Sequence, residues 1–234
     1  MTKVRLVSYS RPTLEFVNEG ISNDDVLDLV AYCARVSNPS NQMNTETSEK
    51  LIKYLIKHQH WSPLEMASAC LEIDTTRDIA HQIVRHRSFS FQEFSQRYAN
   101  PKDMGEQFVL REARLQDTKN RQNSIALGNT QQDMNLINDW ESQQQKVIDA
   151  AKEAYEWAID NGIAKEQARA VLPEGCTKTR LYMNGTLRSW IHYIELRGAN
   201  GTQKEHMDIA HACAKVIAEI FPLAKDLVSE TEVH

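Results

Sequence analysis

The stretch RHRSFSFQEFSQRY, residues 85–98, sets Arg85, His86, Arg87 and Arg97 among Phe89, Phe91 and Phe94. A solvated charge patch rarely interleaves its cations with phenylalanines; a pocket for an anionic, partly aromatic ligand does. Arginine presents a planar, permanently charged fork that grips phosphate or an imide edge through two hydrogen bonds. Serine hydroxyls, here Ser95, and free backbone N–H groups in the turn after a helix serve phosphate further. Burying several cations without a counter-anion costs several kcal/mol per charge, and Glu93 can offset only one of them.

Two further segments carry arginine. QARAVLPEG holds Arg169 four residues before Pro173, and TLRSWIHYIELRG holds Arg188 and Arg197 nine apart with His192 between them. Taken alone, Arg169 reads as a surface ion-pair partner, and Arg197 before Gly198 as a basic helix end. The chain has no G-x-S-x-G, P-loop or G-x-G-x-x-G, so a hydrolase elbow, a nucleoside triphosphatase and a Rossmann dehydrogenase are poorly supported. His58 and His60 flank Gln59, and His206 precedes His211 by five residues, but neither HExxH nor a Cys/His cluster occurs. No metal site is expected.

Alternation and 3.6-residue periodicity supply the elements that must position these groups. Val4 to Tyr9 alternates as a short strand. Asn23-Asp24-Asp25 is expected to cap a helix burying Val26, Leu29, Val30, Cys33 and Val36. A second helix carries Leu51, Ile52, Leu55 and Ile56 and stops before HQHWSP, where Pro63 disfavours helix at Ser62. Ala67, Ala69, Leu71 and Ile73 alternate as a strand. Thr75 and Asp78 form a capping-box-like pair for a helix running through Ile79 and Ile83 into Arg85. Residues 100–132 are polar and read as an exposed excursion or flexible lid. The longest helical pattern, Asp133 to Asn161, is closed by Gly162; a shorter helix from Ala164 stops at Pro173. Cys176 to Met183 is a candidate strand, RSWIHYIELR a helix ending at Gly198, and QKEHMDIAHACAKVIAEIF a final amphipathic helix. The expected class is α+β in one domain spanning 1–234.

At 234 residues the chain can bury a sizeable core, and 41% hydrophobic with 25% charged residues is ordinary for a soluble domain. A net charge of −5 lacks the positive excess of a dedicated nucleic-acid binder, so any anion it holds is expected to be small. MTKVRLVSYS has no apolar signal core, and no stretch approaches the roughly 18 apolar residues of a membrane span. Cys33, Cys70, Cys176 and Cys213 are widely scattered, as for reduced thiols in a cytoplasmic protein.

RHR followed after seven residues by Ser, at Arg85, His86, Arg87 and Ser95, is similar to the signature of the flavin-dependent thymidylate synthases. HQHWSPLEM, ARAVLP and RSWIHYIELR resemble three more segments of that family, in the family's order. The resemblance implies an α/β domain with a central curved sheet, assembled as a homotetramer with sites shared between subunits. It places Arg85, His86, Arg87, Glu93, Ser62, Thr186, Leu187, Arg188 and His192 on FAD. Gln82, Arg85, Glu93, Ser95, Gln96, Arg97 and Arg169 would hold dUMP, chiefly its phosphate, and Arg197 would face the uracil as the catalytic residue. Gln92 stands where many members carry Asn, Gln96 where Gly is frequent, and His192 where some have Asn.

The implied reaction methylates dUMP to dTMP, with 5,10-methylenetetrahydrofolate as carbon donor and NADPH reducing FAD. Uracil C5 is a poor nucleophile until electron density enters the ring, and a cation beside N3 and its flanking carbonyls favours the ionised ring. Such a route needs no enzyme thiolate. Cys176, beside Lys178, is the one cysteine whose position suggests activation, and it reads as structural. Two other readings stay open at this point. One is a related dUMP-modifying enzyme such as a hydroxymethylase; the other is a non-catalytic RNA-binding module, against which the net acidity argues.

Overall fold

The computed structural model describes residues 3–23 and 26–227. The chain begins with β1 (Lys3–Tyr9), α1 (Leu14–Asn18), α2 (Leu27–Ala34) and α3 (Ser48–Lys57). Then come β2 (Ser68–Thr76), α4 (Arg77–Ile83), β3 (Ser90–Glu93), and the short strands β4 (Arg114–Gln116) and β5 (Ser124–Ala126). The last part holds α5 (Gln131–Asp160), α6 (Lys165–Ala168), β6 (Lys178–Thr186), α7 (Leu187–Gly198) and α8 (Lys204–Ile217). The class is α+β.

One antiparallel sheet organises the molecule, in the order β1-β2-β6-β3. Its long central pair runs without a break from Ser68 opposite Thr186 to Thr76 opposite Lys178. Period-two alternation sends Leu71, Ile73, Leu181 and Met183 inward, all fully buried, into one core with Trp190 and Ile194 of α7 and Ile209 and Cys213 of α8. The indole of Trp190 donates to the carbonyl of Ala69 at 3.0 Å, so this buried ring leaves no polar atom unpaired.

The outward face of the same strands is ionic. Arg180 grips Asp74 with two hydrogen bonds of 2.6 and 2.9 Å, Arg5 donates to Glu72 at 2.5 and 2.9 Å, and the Tyr182 hydroxyl donates to Glu72 at 3.1 Å. These partners cover Glu72 so fully that it is only 5% exposed.

Several sequence expectations need correction. The cap of α4 is Thr76, not Thr75, because the helix begins at Arg77; Thr76, the last residue of β2, is extended and donates to Asp78 at 2.5 Å. Helix α4 ends at Ile83, before Arg85. In α2 the buried residues are Leu27, Val30 and Ala31, whereas Val36 lies beyond the helix and is exposed; the expected cap residues Asp24 and Asp25 fall outside the described residues. The short α1, with no buried residue, carries no periodic signal.

Residues 100–132 hold the β4–β5 hairpin, and Arg111 ties this segment to the body. Its guanidinium donates to both carboxylate oxygens of Asp78 at 2.6 and 2.7 Å and to the Gly175 carbonyl at 2.7 Å. Beyond the hairpin, a reciprocal Thr130–Asp133 capping box starts the 30-residue α5. Gly162, at φ 76°, ends it with bonds from its own N–H to Ile159 and from Ile163 to Ala158, as a left-handed C-cap should.

Candidate functional site

The arginine ribbon leaves α4 through a tight turn in which the N–H of His86 bonds to Ile83 and that of Phe89 to His86. It then enters the sheet as β3, paired with β6 from Ser90 opposite Asn184 to Glu93 opposite Leu181. Phe89 anchors it, 8% exposed and edge-on to Trp190 with ring centroids 4.8 Å apart. Opposite Phe89 lies Gly185, where a Cβ would fall 2.4 Å from the ring, so only glycine admits this packing. The phenylalanine thus goes to the core while Arg85 and Arg87 stand exposed, without a hydrogen bond or ion pair from either side chain among the described residues.

Arg197, in the last turn of α7, donates from Nε to His86 Nε2 at 2.9 Å. Burial, and next the Arg197 charge, lower the His86 pKa, so the imidazole is neutral and accepts this bond. Its ring meets Tyr193 edge-on at 5.0 Å. Gln82, on α4, accepts from fully buried His206 over 3.2 Å, and His206 also touches the Tyr193 hydroxyl at 3.2 Å. Burial, then Arg197 and His86, push the His206 pKa down to about 3.

The remaining candidates form separate groups. Glu93 accepts from Arg77 at 3.2 Å and from Thr179 at 2.9 Å. Arg97 lies 3.8 Å from the Glu166 carboxylate, and Arg169 donates to the Glu166 carbonyl at 3.4 Å. Beside Arg97, Gln96 is 2% exposed with its side-chain nitrogen unpaired among the described residues, while the Ser95 carbonyl closes a turn with Tyr98 and Ala99. Arg188 pairs with Glu65, four-residue neighbour turn Ser62–Glu65 carries exposed Ser62, and exposed His192 packs on Trp61 at 4.4 Å. Thr186 caps α7 by accepting from Ser189. Leu187 is fully buried and its N–H bonds to Ala67, so its side chain serves the core.

No hydrogen bond or ion pair among the described residues joins one of these groups to another. Two clefts, of about 320 and 620 Å³, flank the segment around Leu110 and α5 and contain none of the candidate residues. Arg85, Arg87 and Arg97 are exposed, whereas Arg169, Arg188 and Arg197 are half-buried.

None of the cysteines forms a disulfide, and burial raises the thiol pKa of all of them; at Cys176 the Arg111 charge opposes but does not reverse this. The sequence reading considered His206 only as a metal ligand. Its one detectable signal is its place on the buried stripe of α8 with Ile209, Ala210 and Cys213, where a lone polar residue needs partners. Arg111 carries no local signal, because its contacts come from segments distant in sequence.

The fold is thus an antiparallel α+β domain with Arg85 and Arg87 unpaired among the described residues, in the segment between α4 and β3. Residues 21–223 match the family described as thymidylate synthase complementing protein. A probable flavin-dependent thymidylate synthase of Paramecium bursaria Chlorella virus 1 is 48% identical over 224 residues, 95% of this chain and 97% of that protein. A flavin-dependent thymidylate synthase of a Synechocystis species is 46% identical over 221 residues, covering 94% and 95%. In fold, the chain is similar to a UMP/dUMP methylase from Streptomyces cacaoi bound with 5-Br dUMP, with TM-score 0.75 over 97% of this chain and 94% of that one at 24% identity. The chain belongs to the thymidylate synthase complementing protein family, that of the flavin-dependent thymidylate synthases.

Proposed function

We propose that this chain methylates dUMP to dTMP as a flavin-dependent thymidylate synthase, with 5,10-methylenetetrahydrofolate as carbon donor and NADPH as reductant. The observation that carries the reading is the set Arg85, Arg87 and Arg197, which has no carboxylate partner among the described residues, with Arg197 held by a neutral His86. Unpaired, exposed guanidinium groups suit the phosphates of FAD and of a nucleotide. Arg85, Arg87 and His86 would hold FAD, with Ser62, Glu93, Thr186, Leu187, Arg188 and His192; Arg188 would exchange Glu65 for the ligand. When bound, FAD supplies the hydride chemistry.

The protein's own part is orientation and electrostatics. Nε of Arg197 is held by His86, so the guanidinium plane is set while both terminal nitrogens, without a partner among the described residues, remain for an imide edge. Because His86 is neutral, it fixes Arg197 without weakening its charge. A cation preorganised beside the uracil favours the ionised ring and so a nucleophilic C5. Gln82, Ser95, Gln96, Arg97 and Arg169 would hold the nucleotide, and the unpaired nitrogen of Gln96 is a donor for it. The raised cysteine pKa values agree with a route that uses no enzyme thiolate.

A homotetramer with shared sites is favoured by the separation of the candidate groups within one chain. Exposed Trp140, Val147 and Trp157 on α5 also give a second copy apolar surface to cover. Free cysteines and a net charge of −5 agree with a cytoplasmic protein that does not bind nucleic acid, and among the described residues no helix is long and apolar enough to cross a membrane. The test is optical. Purified protein should be yellow and should bleach when NADPH is added without oxygen in the presence of dUMP, and mass spectrometry should find dTMP after folate is supplied. Protein that stays colourless after soaking in FAD, with no heat of flavin binding, would overturn the reading.

A further inference from the structure

A directed chain of hydrogen bonds runs behind the nucleotide-facing end of α4, and chemistry alone fixes its direction. Glu205, paired with Arg111 at 3.3 Å, is a carboxylate and can only accept; it receives the side-chain N–H of Gln203 at 2.9 Å. Gln203 must therefore turn its carbonyl toward Gln82, which donates to it at 2.8 Å. With its nitrogen so engaged, Gln82 turns its own carbonyl to His206, 3.2 Å away, and the proton of His206 must sit on Nδ1. The bare Nε2 then accepts from the Tyr193 hydroxyl at 3.2 Å.

The Gln82 amide is thus not free to flip. Its carbonyl is consumed inside the protein, and its second N–H, without a partner among the described residues, remains for a ligand. His206 is fully buried and stays neutral across the physiological range, so protonation does not reverse the chain.

We propose that His206 is a positioning residue for the nucleotide: it fixes Gln82 as a hydrogen-bond donor, so the site accepts a ligand oxygen there and rejects an N–H. The assignment rests on dUMP being the substrate. Without His206, the Gln82 carbonyl loses the donor that holds it inward, only the bond to Gln203 is left to orient the amide, and part of the population presents the wrong group.

The test is titration calorimetry of dUMP into the FAD-loaded protein and its His206→Leu, His206→Asn, Gln82→Ala and His206→Leu/Gln82→Ala variants. His206→Leu should bind dUMP about tenfold more weakly, the scale of one net hydrogen bond, with FAD affinity unchanged. Asparagine places a donor near the position of Nδ1, so His206→Asn should recover most of the loss. The double variant should bind no more weakly than Gln82→Ala alone, since His206 acts through Gln82. Should His206→Leu fail to fold, Glu205→Gln removes the acceptor-only end of the chain from a half-buried position, and the same comparison with Gln82→Ala applies. Unchanged dUMP affinity in these variants, or losses that simply add, would overturn the assignment while leaving the substrate intact. A wild-type holoenzyme that binds FAD but no dUMP would overturn the substrate reading and this assignment together.

Discussion

The outer face of the sheet and the end of α4 both carry arginines, and they treat them oppositely. On the sheet, Arg5 and Arg180 close on Glu72 and Asp74, and Tyr182 fills a remaining acceptor. At the helix end, Arg85 and Arg87 have no partner among the described residues, and Arg197 meets only a neutral imidazole. A fold able to pair its charges has done so where they need only coexist. Unmatched cations repel one another and lower stability unless an anion arrives, and on the function proposed above the phosphates of the ligands would complete the electrostatics of the second group.

The hardest blow to this contrast is Arg197→Ala. Turnover should fall by about two to three orders of magnitude, the scale of a lost preorganised charge, while the protein keeps its yellow colour. Normal turnover would return Arg197 to the role of a helix cap. Arg180→Met does the reverse, leaving dUMP affinity intact but stranding Asp74 and part of Glu72. Urea denaturation should show a loss of about 1–3 kcal/mol, reduced because Arg180 is itself 38% exposed. An unaltered midpoint would mean that the sheet pairs hold nothing.

Acid sharpens the comparison further. Folded His206 titrates near 3 and the free side chain at 6.5, so between these values the unfolded chain takes up a proton that the folded chain refuses. The contribution is complete above pH 6.5 and is lost as pH falls toward 3, by about 1.4 kcal/mol per unit. Between pH 7 and pH 5 wild type should lose about 2 kcal/mol more than His206→Asn; equal acid losses would show that His206 is not held neutral. The smallest effect belongs to Cys176→Ala. It should leave dTMP formation unchanged within any loss of stability, and a folded, flavin-loaded but inactive variant would require a thiolate mechanism.

Much of this arrangement is legible in the chain itself. The ribbon stands out because cations on both sides of Phe89, Phe91 and Phe94 satisfy no simple surface or core pattern, and the structure divides Phe89 from Arg85 and Arg87 as that conflict demands. Alternation from Ala67 to Ile73 and from Cys176 to Met183 locates the central strands, which run a few residues further, to Thr76 and Thr186, and periodicity over Asp133–Asn161 locates α5. What local pattern cannot carry is register. Thr75 and Thr76 are equally good caps by composition, and only the point at which the β2–β6 ladder ends, at Thr76 opposite Lys178, makes the second the cap. β3 is four residues long and gains its identity from β6. Gln82, His206 and Gln203 likewise acquire meaning from one another across more than a hundred residues.

The strand order has a consequence for how the molecule is made. β6 lies between β2 and β3, yet it follows both in the chain. During synthesis β1 and β2 can pair at once, but β3 has no neighbour in the sheet until the last quarter of the chain emerges. The arginine ribbon must therefore wait, its phenylalanines uncovered, while α5 is already complete. Closing so long a loop is slow, and it is the step at which an immature chain exposes most apolar surface to its neighbours. The segment proposed to bind ligand is thus among the last to acquire its shape.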